Sequence, residues 1–141
     1  MPTPSTRAVT PASPPHEQDL SDVLQALEAE FLQTALRSLD EVDAAFKVGA
    51  LSPDNREDWK RLHEVLHNLK GQGATFGFPL VSELAEYACE FMRKQETGSS
   101  DDLALIDAVG RGLRLILTHG MRGDTDERGR ALIQRFARSL A

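Results

Sequence analysis

The sequence predicts an all-α protein: an antiparallel up-down four-helix bundle with an extra C-terminal helix and a disordered N-terminal tail. Three observations lead there. Apolar residues recur every three to four positions over most of the chain, the spacing of helices with one buried stripe. No stretch alternates with period two over a useful length, which argues against strands. Glycine, proline and serine cut the pattern into segments joined by short loops, which favours antiparallel neighbours.

Composition bounds the function. The 141 residues carry 22 acidic and 16 basic side chains, a formal net charge of −6, and one cysteine. An acidic chain without a dense basic block is a poor ligand for nucleic acid. A single cysteine builds neither an internal disulfide nor a thiolate metal cage, which fits a reducing compartment. No apolar run approaches the roughly 20 residues of a membrane helix. The first residues lack the apolar core of a signal peptide, so a cytoplasmic location is expected, with no membrane partner.

The elements follow in order. Residues 1–18 hold five of the seven prolines among Ser, Thr and Ala, too little apolar surface to offset ordering entropy. The bundle is assigned to 19–120. Segment 20–48 puts Leu24, Leu27, Phe31, Ala35, Leu39, Val42 and Phe46 on one stripe; Asp19 or Ser21 can cap it, and Gly49 closes it. Segment 53–76 opens with Ser52 as N-cap and Pro53 at the first helical position. Its stripe is Trp59, Leu62, Leu66, Leu69, Gly73 and Phe76, and Gly77 is a left-handed cap. Segment 79–95 starts at Pro79 and buries Leu80, Leu84, Ala88 and Phe91. After the loop 97–100, Asp101 or Asp102 caps a helix with Ile106, Val109, Leu113 and Ile116 inside, ended by Gly120. Residues 121–141 hold the additional helix, with Asp124 and Glu127 as its capping box and Leu132, Phe136 and Leu140 as its stripe. This helix must cover part of the bundle or pair with a partner.

Charge is uneven. Residues 16–96 hold 16 acids and 8 bases, whereas 97–141 hold 6 acids and 7 bases. Arg122, Arg128, Arg130, Arg135 and Arg138 make the C-terminal end mildly basic; a solvated helix face accounts for them.

The second helix carries the chemistry. At about 100° per residue, His67 lies more than a third of a turn from the core stripe. Lys60, His63, Lys70, Gly71 and Ala74 share its face, with Lys70 at i+3 and Gly71 at i+4. An interior glycine costs a helix roughly 1 kcal/mol against alanine, so its presence beside an exposed ring asks for a reason. Bare backbone there lets another protein approach the imidazole. An exposed imidazole is neutral over much of the physiological range, and its ring nitrogen can accept a phosphoryl group. A lysine ammonium close by would offset the added negative charge. Spacing alone also fits an ordinary surface histidine beside an ordinary surface lysine.

The run His67-Asn68-Leu69-Lys70-Gly71-Gln72-Gly73-Ala74-Thr75-Phe76-Gly77-Phe78 resembles the signature of histidine-containing phosphotransfer (HPt) domains. That signature has a histidine, a lysine three on, a glycine four on and another ten on; His67, Lys70, Gly71 and Gly77 match all four. Thr75-Phe76-Gly77-Phe78 is most similar to the N-terminal phosphotransfer domain of chemotaxis histidine kinases. The resemblance implies a phosphocarrier of a two-component phosphorelay, expected here to be free-standing and monomeric. His67 would exchange a phosphoryl group with a response-regulator receiver aspartate or a histidine kinase. Lys70 would stabilise the phosphorylated form, and Lys60, His63, Gly71 and Ala74 would meet the partner. The chain itself would need no cofactor or metal and have no kinase site, and the Mg²⁺ would sit on the receiver. One position departs from the pattern. Many members place a ring-orienting glutamate 22 residues after the histidine, where this chain has Cys89. Glu86 lies one turn earlier, and Glu90 is adjacent but rotated. Either Glu86 reaches the ring, or the orienting bond is absent, or His63 supplies it. Cys89 reads as a small core residue.

Two other readings use the same residues. His63-Glu64-Val65-Leu66-His67 fits H-E-x-x-H, the helix motif of a zinc-dependent hydrolase, which needs a third ligand such as Glu86 or Glu90. A module of the same fold that only binds and sequesters a receiver would use the His67 face without phosphorylation. His16 carries no signal, and His119 reads as a helix C-terminal residue.

Overall fold

The structure is a computed structural model that describes residues 17–52, 54–123 and 126–141. Five helices run in chain order: α1 Glu17–Lys47, α2 Arg56–Gly73, α3 Pro79–Arg93, α4 Ser100–Thr118 and α5 Glu127–Leu140. There is no strand among the described residues. Each of the first four helices packs on the next, and α4 closes back on α1, so α1–α4 form an up-down bundle. α5 lies on α3 and α4. Most of the expected tail, residues 1–16, falls outside the described residues; positions 17 and 18 are already helical.

α3 is the central helix. α2, α4 and α5 all pack on it, so Leu80, Val81, Leu84, Ala85, Ala88, Cys89 and Met92 are buried. α1 is different. Phe31, Ala35 and Leu39 are buried, and Val42 and Phe46 pack beside them as the stripe predicts. Leu24 and Leu27 do not join the core: they are 65% and 43% exposed, with Leu20 and Val23 open beside them. At 1.5 Å per residue α1 is roughly 46 Å long and α2 roughly 27 Å. The first turns of α1 therefore run past the end of α2, and among the described residues nothing covers the periodic stripe there.

The start signals also moved. Asn55, not Ser52, caps α2, its side chain accepting from the amides of Glu57 and Asp58; Pro53 lies outside the described residues. Ser99, not Asp101 or Asp102, caps α4, and Asp102 completes a capping box with it. Asp126 caps α5, while Asp124 lies outside the described residues. Gly49, Gly77 and Gly120 have positive φ (67°, 91° and 61°), the left-handed backbone expected where α1, the α2 turn and α4 end.

Tight packing at the α2–α3 turn fixes the register between these helices. The Ser82 hydroxyl donates to the Lys70 carbonyl (2.8 Å) and accepts from the Ala74 amide (2.7 Å). The Phe78 amide donates to the Gly73 carbonyl (2.8 Å). A Cβ on Gly73 would lie 2.7 Å from Ser82 Oγ and 2.9 Å from Ser82 N, so only glycine lets α3 come this close. Beyond the turn, the Arg122 guanidinium stacks 4.3 Å above the Phe78 ring and pairs with Glu28 on α1. At the other end of α2, Trp59 Nε1 donates to the carbonyls of Met92 (3.4 Å) and Gln95 (3.3 Å).

Candidate functional site

α2 buries Trp59, Leu62, Leu66, Leu69 and Gly73, which turns the opposite side of the helix outward. His67 is exposed there, as are Lys60, Gly71 and Ala74. A Cβ on Gly71 would meet nothing within 4 Å, so this glycine serves no packing need inside the chain. Its bare backbone adjoins the His67 ring, one turn away along the helix.

His63 is half-buried at the edge of this face. Its ring stacks on that of His67, with centroids 6.1 Å apart and planes 14° from parallel. His63 Nε2 is buried without a hydrogen-bond partner among the described residues. Burial holds the His63 pKa below its ordinary value, and the His67, Arg93 and Lys70 charges push the same way against Glu64. The ring stacked beside His67 is therefore harder to protonate than a free imidazole.

Lys70 reaches toward α3. Its Nζ lies 2.8 Å from a Glu86 carboxylate oxygen, with both side chains partly exposed. The bond from Lys70, ahead of its charge, lowers the Glu86 pKa. Of the three expectations for ring orientation, the first is not met: Glu86 bonds to Lys70 rather than to the His67 ring. Cys89 is fully buried. Burial pushes its thiol pKa up, against Lys70 and Arg93, so it is a poor nucleophile. Glu90 is paired with Arg93 at 2.5 Å.

The same pairs bear on the H-E-x-x-H reading. Glu86 and Glu90 are both engaged by cations, and His63 Nε2 is turned into the protein. Among the described residues no three His, Cys, Asp or Glu side chains converge as ligands would. Among the described residues, a zinc ion on His63 and His67 would find no third ligand.

Ser82 is the residue that sequence reasoning missed. It pins the backbone of Lys70 and so sets where the lysine side chain starts. A lone serine near the start of a helix carries no motif, so only the α2–α3 register reveals it.

Together these features define a class: an all-α bundle that presents one exposed histidine, a lysine and bare backbone on a single helix face. The chain belongs to the histidine-containing phosphotransfer (Hpt) domain family, whose sequence model matches residues 17–119. The match spans α1 to α4 and ends before α5. No curated protein and no solved structure matches the chain. Membership makes this a histidine phosphotransfer module of two-component phosphorelays, a family that works with kinases and response regulators. No helix among the described residues is long and apolar enough to cross a membrane.

Proposed function

We propose that the chain is a phosphocarrier that accepts a phosphoryl group on His67 and exchanges it with a receiver aspartate. One observation carries this reading. The His67 ring is solvent-exposed beside Lys70, with Gly71 leaving open space one turn on. A ring nitrogen of His67 attacks the phosphorus of the receiver's aspartyl phosphate through its lone pair. The P–N bond forms as the P–O bond breaks, and the receiver regains its carboxylate; return transfer runs the same step backwards. The added phosphoryl oxygens bring negative charge, which the Lys70 ammonium offsets. Gly71 and Ala74 keep the approach clear, and Lys60 and His63 line the contact. Any Mg²⁺ required belongs to the receiver's site.

Partner contact of this kind is transient, with charges at the rim and rapid release. The chain acts as a monomer in the cytoplasm on this reading, without kinase chemistry of its own. Burial of Ile133 and Leu140 of α5 within the same chain supports the monomer. The test compares the loss of phosphate from a phosphorylated receiver with wild-type chain and with His67→Gln. Loss accelerated only by the wild type is expected. Equal loss with both would sink the carrier reading and leave sequestration.

A further inference from the structure

We propose that Glu86 is a positioning residue that competes with the phosphoryl group for Lys70, and so sets how readily His67 gives that group up. The proposal rests on the carrier reading of His67 and Lys70. Its ground is the 2.8 Å ion pair between Lys70 Nζ and Glu86, which joins α2 to α3 directly beside His67.

The backbone around Lys70 is held. Its carbonyl accepts from Ser82 Oγ, and the neighbouring Gly73 packs against the Ser82 backbone. Lys70 therefore changes partner by side-chain rotation, not by movement of the helix. Both side chains are partly exposed, at 31% for Lys70 and 45% for Glu86, which leaves that rotation free. Arg93, the other cation that acts on Glu86, is itself bound to Glu90 at 2.5 Å. Lys70 is thus the cation in contact with Glu86.

Phosphorylation places a dianionic group one turn from Lys70. The ammonium then has two anions to serve, and the carboxylate and phosphoryl oxygens repel each other. Both effects raise the free energy of the phosphorylated carrier relative to one whose lysine is unclaimed. In the onward step the P–N bond breaks, a P–O bond forms on the receiver aspartate, and the ring recovers its lone pair. Lys70 returns to Glu86 as the phosphoryl leaves. Glu86 thereby favours release over storage. Cys89, buried and uncharged in this setting, takes no part in the exchange.

The test equilibrates the full chain with a receiver domain that has been phosphorylated with radiolabelled acetyl phosphate. Label on the carrier and on the receiver is then compared for wild type, Glu86→Gln, Glu86→Asp, Lys70→Ala and the Lys70→Ala/Glu86→Gln double variant. Glu86→Gln should raise the carrier-to-receiver ratio by about two- to fivefold, the range of an exposed ion pair. Glu86→Asp should stay nearer wild type, since it keeps the charge. In the Lys70→Ala background the gain from Glu86→Gln should fall by more than half, the coupling a double-mutant cycle measures. An unchanged or lowered ratio in Glu86→Gln overturns the proposal, as does an equal gain with and without Lys70. A wild-type chain that takes no label at all instead removes the carrier reading, and this proposal with it.

Discussion

His63 and Lys70 lie one turn to either side of His67 on α2, the first stacked on its ring and the second paired with Glu86. The folded-state pKa of His63 lies below its ordinary value of 6.5, because burial and nearby positive charge disfavour its protonation. The unfolded chain therefore binds this proton more readily than the native one. The stabilising contribution is complete above pH 6.5 and is lost as pH falls through the lowered value. An NMR titration should give His63 a midpoint below 6.5, and His63→Gln should flatten the fall of stability on the acid side of 6.5. Phosphorylation of His67, whose ring centroid is 6.1 Å away, should move the His63 midpoint upward, since a nearby anion favours the charged form. For Lys70, substitution by alanine should shorten the life of the phosphorylated chain and leave its fold intact, as decay of a histidine label and far-UV circular dichroism would show. The His67, Lys70 and Gly71 grouping was legible in the sequence because it lies within two turns of one helix. The Lys70–Glu86 pair was not. It depends on how α2 and α3 sit against each other, and no local spacing encodes that.

At the scale of the helix, the two glycines within α2 divide by what surrounds them. Gly71 faces open space, while Gly73 lies against Ser82 and the Phe78 carbonyl. Gly71→Ala should stabilise the chain by up to about 1 kcal/mol through helix propensity, yet slow transfer with a receiver by crowding the ring. Gly73→Ala should cost about 1–3 kcal/mol, because its methyl overpacks the α2–α3 contact. Urea melts of the two variants check this, and a shift of the same sign in both would contradict the assignment. The sequence located all five helices and their C-terminal glycines, but not the N-caps of α2 and α4. Near each start stand several residues able to cap, such as Ser52 and Asn55, or Ser99, Asp101 and Asp102, and tertiary packing chooses among them. Periodicity also identifies which face of α1 is apolar, but not whether anything lies opposite. Hence Leu24 and Leu27 were expected inside and are found exposed.

Over the whole molecule, the bundle of the family and the added helix form one core. α5 buries Ile133 to 1% exposure, and Phe136 fills the space that Gly112 leaves on α4. Arg130 makes two bonds to Glu83 on α3, at 2.6 and 3.1 Å. The sequence left open whether this helix covers its own bundle or pairs with a partner; it covers α3 and α4. Ile133→Ala should therefore destabilise the whole chain by about 2–5 kcal/mol in a single cooperative transition, as for any core truncation. A separate early transition of α5 alone would show that it is only loosely attached. Acidic side chains are concentrated before residue 97, and within that part Lys60 and Lys70 stand on the His67 face, Lys70 already paired with Glu86. The central claim is that His67 carries phosphate, and its most direct measurement is to label the chain from a phosphorylated receiver and locate the label. The account predicts an acid-labile, alkali-stable label on His67 that disappears in His67→Gln. An acid-stable label, or one that persists in that variant, would contradict it.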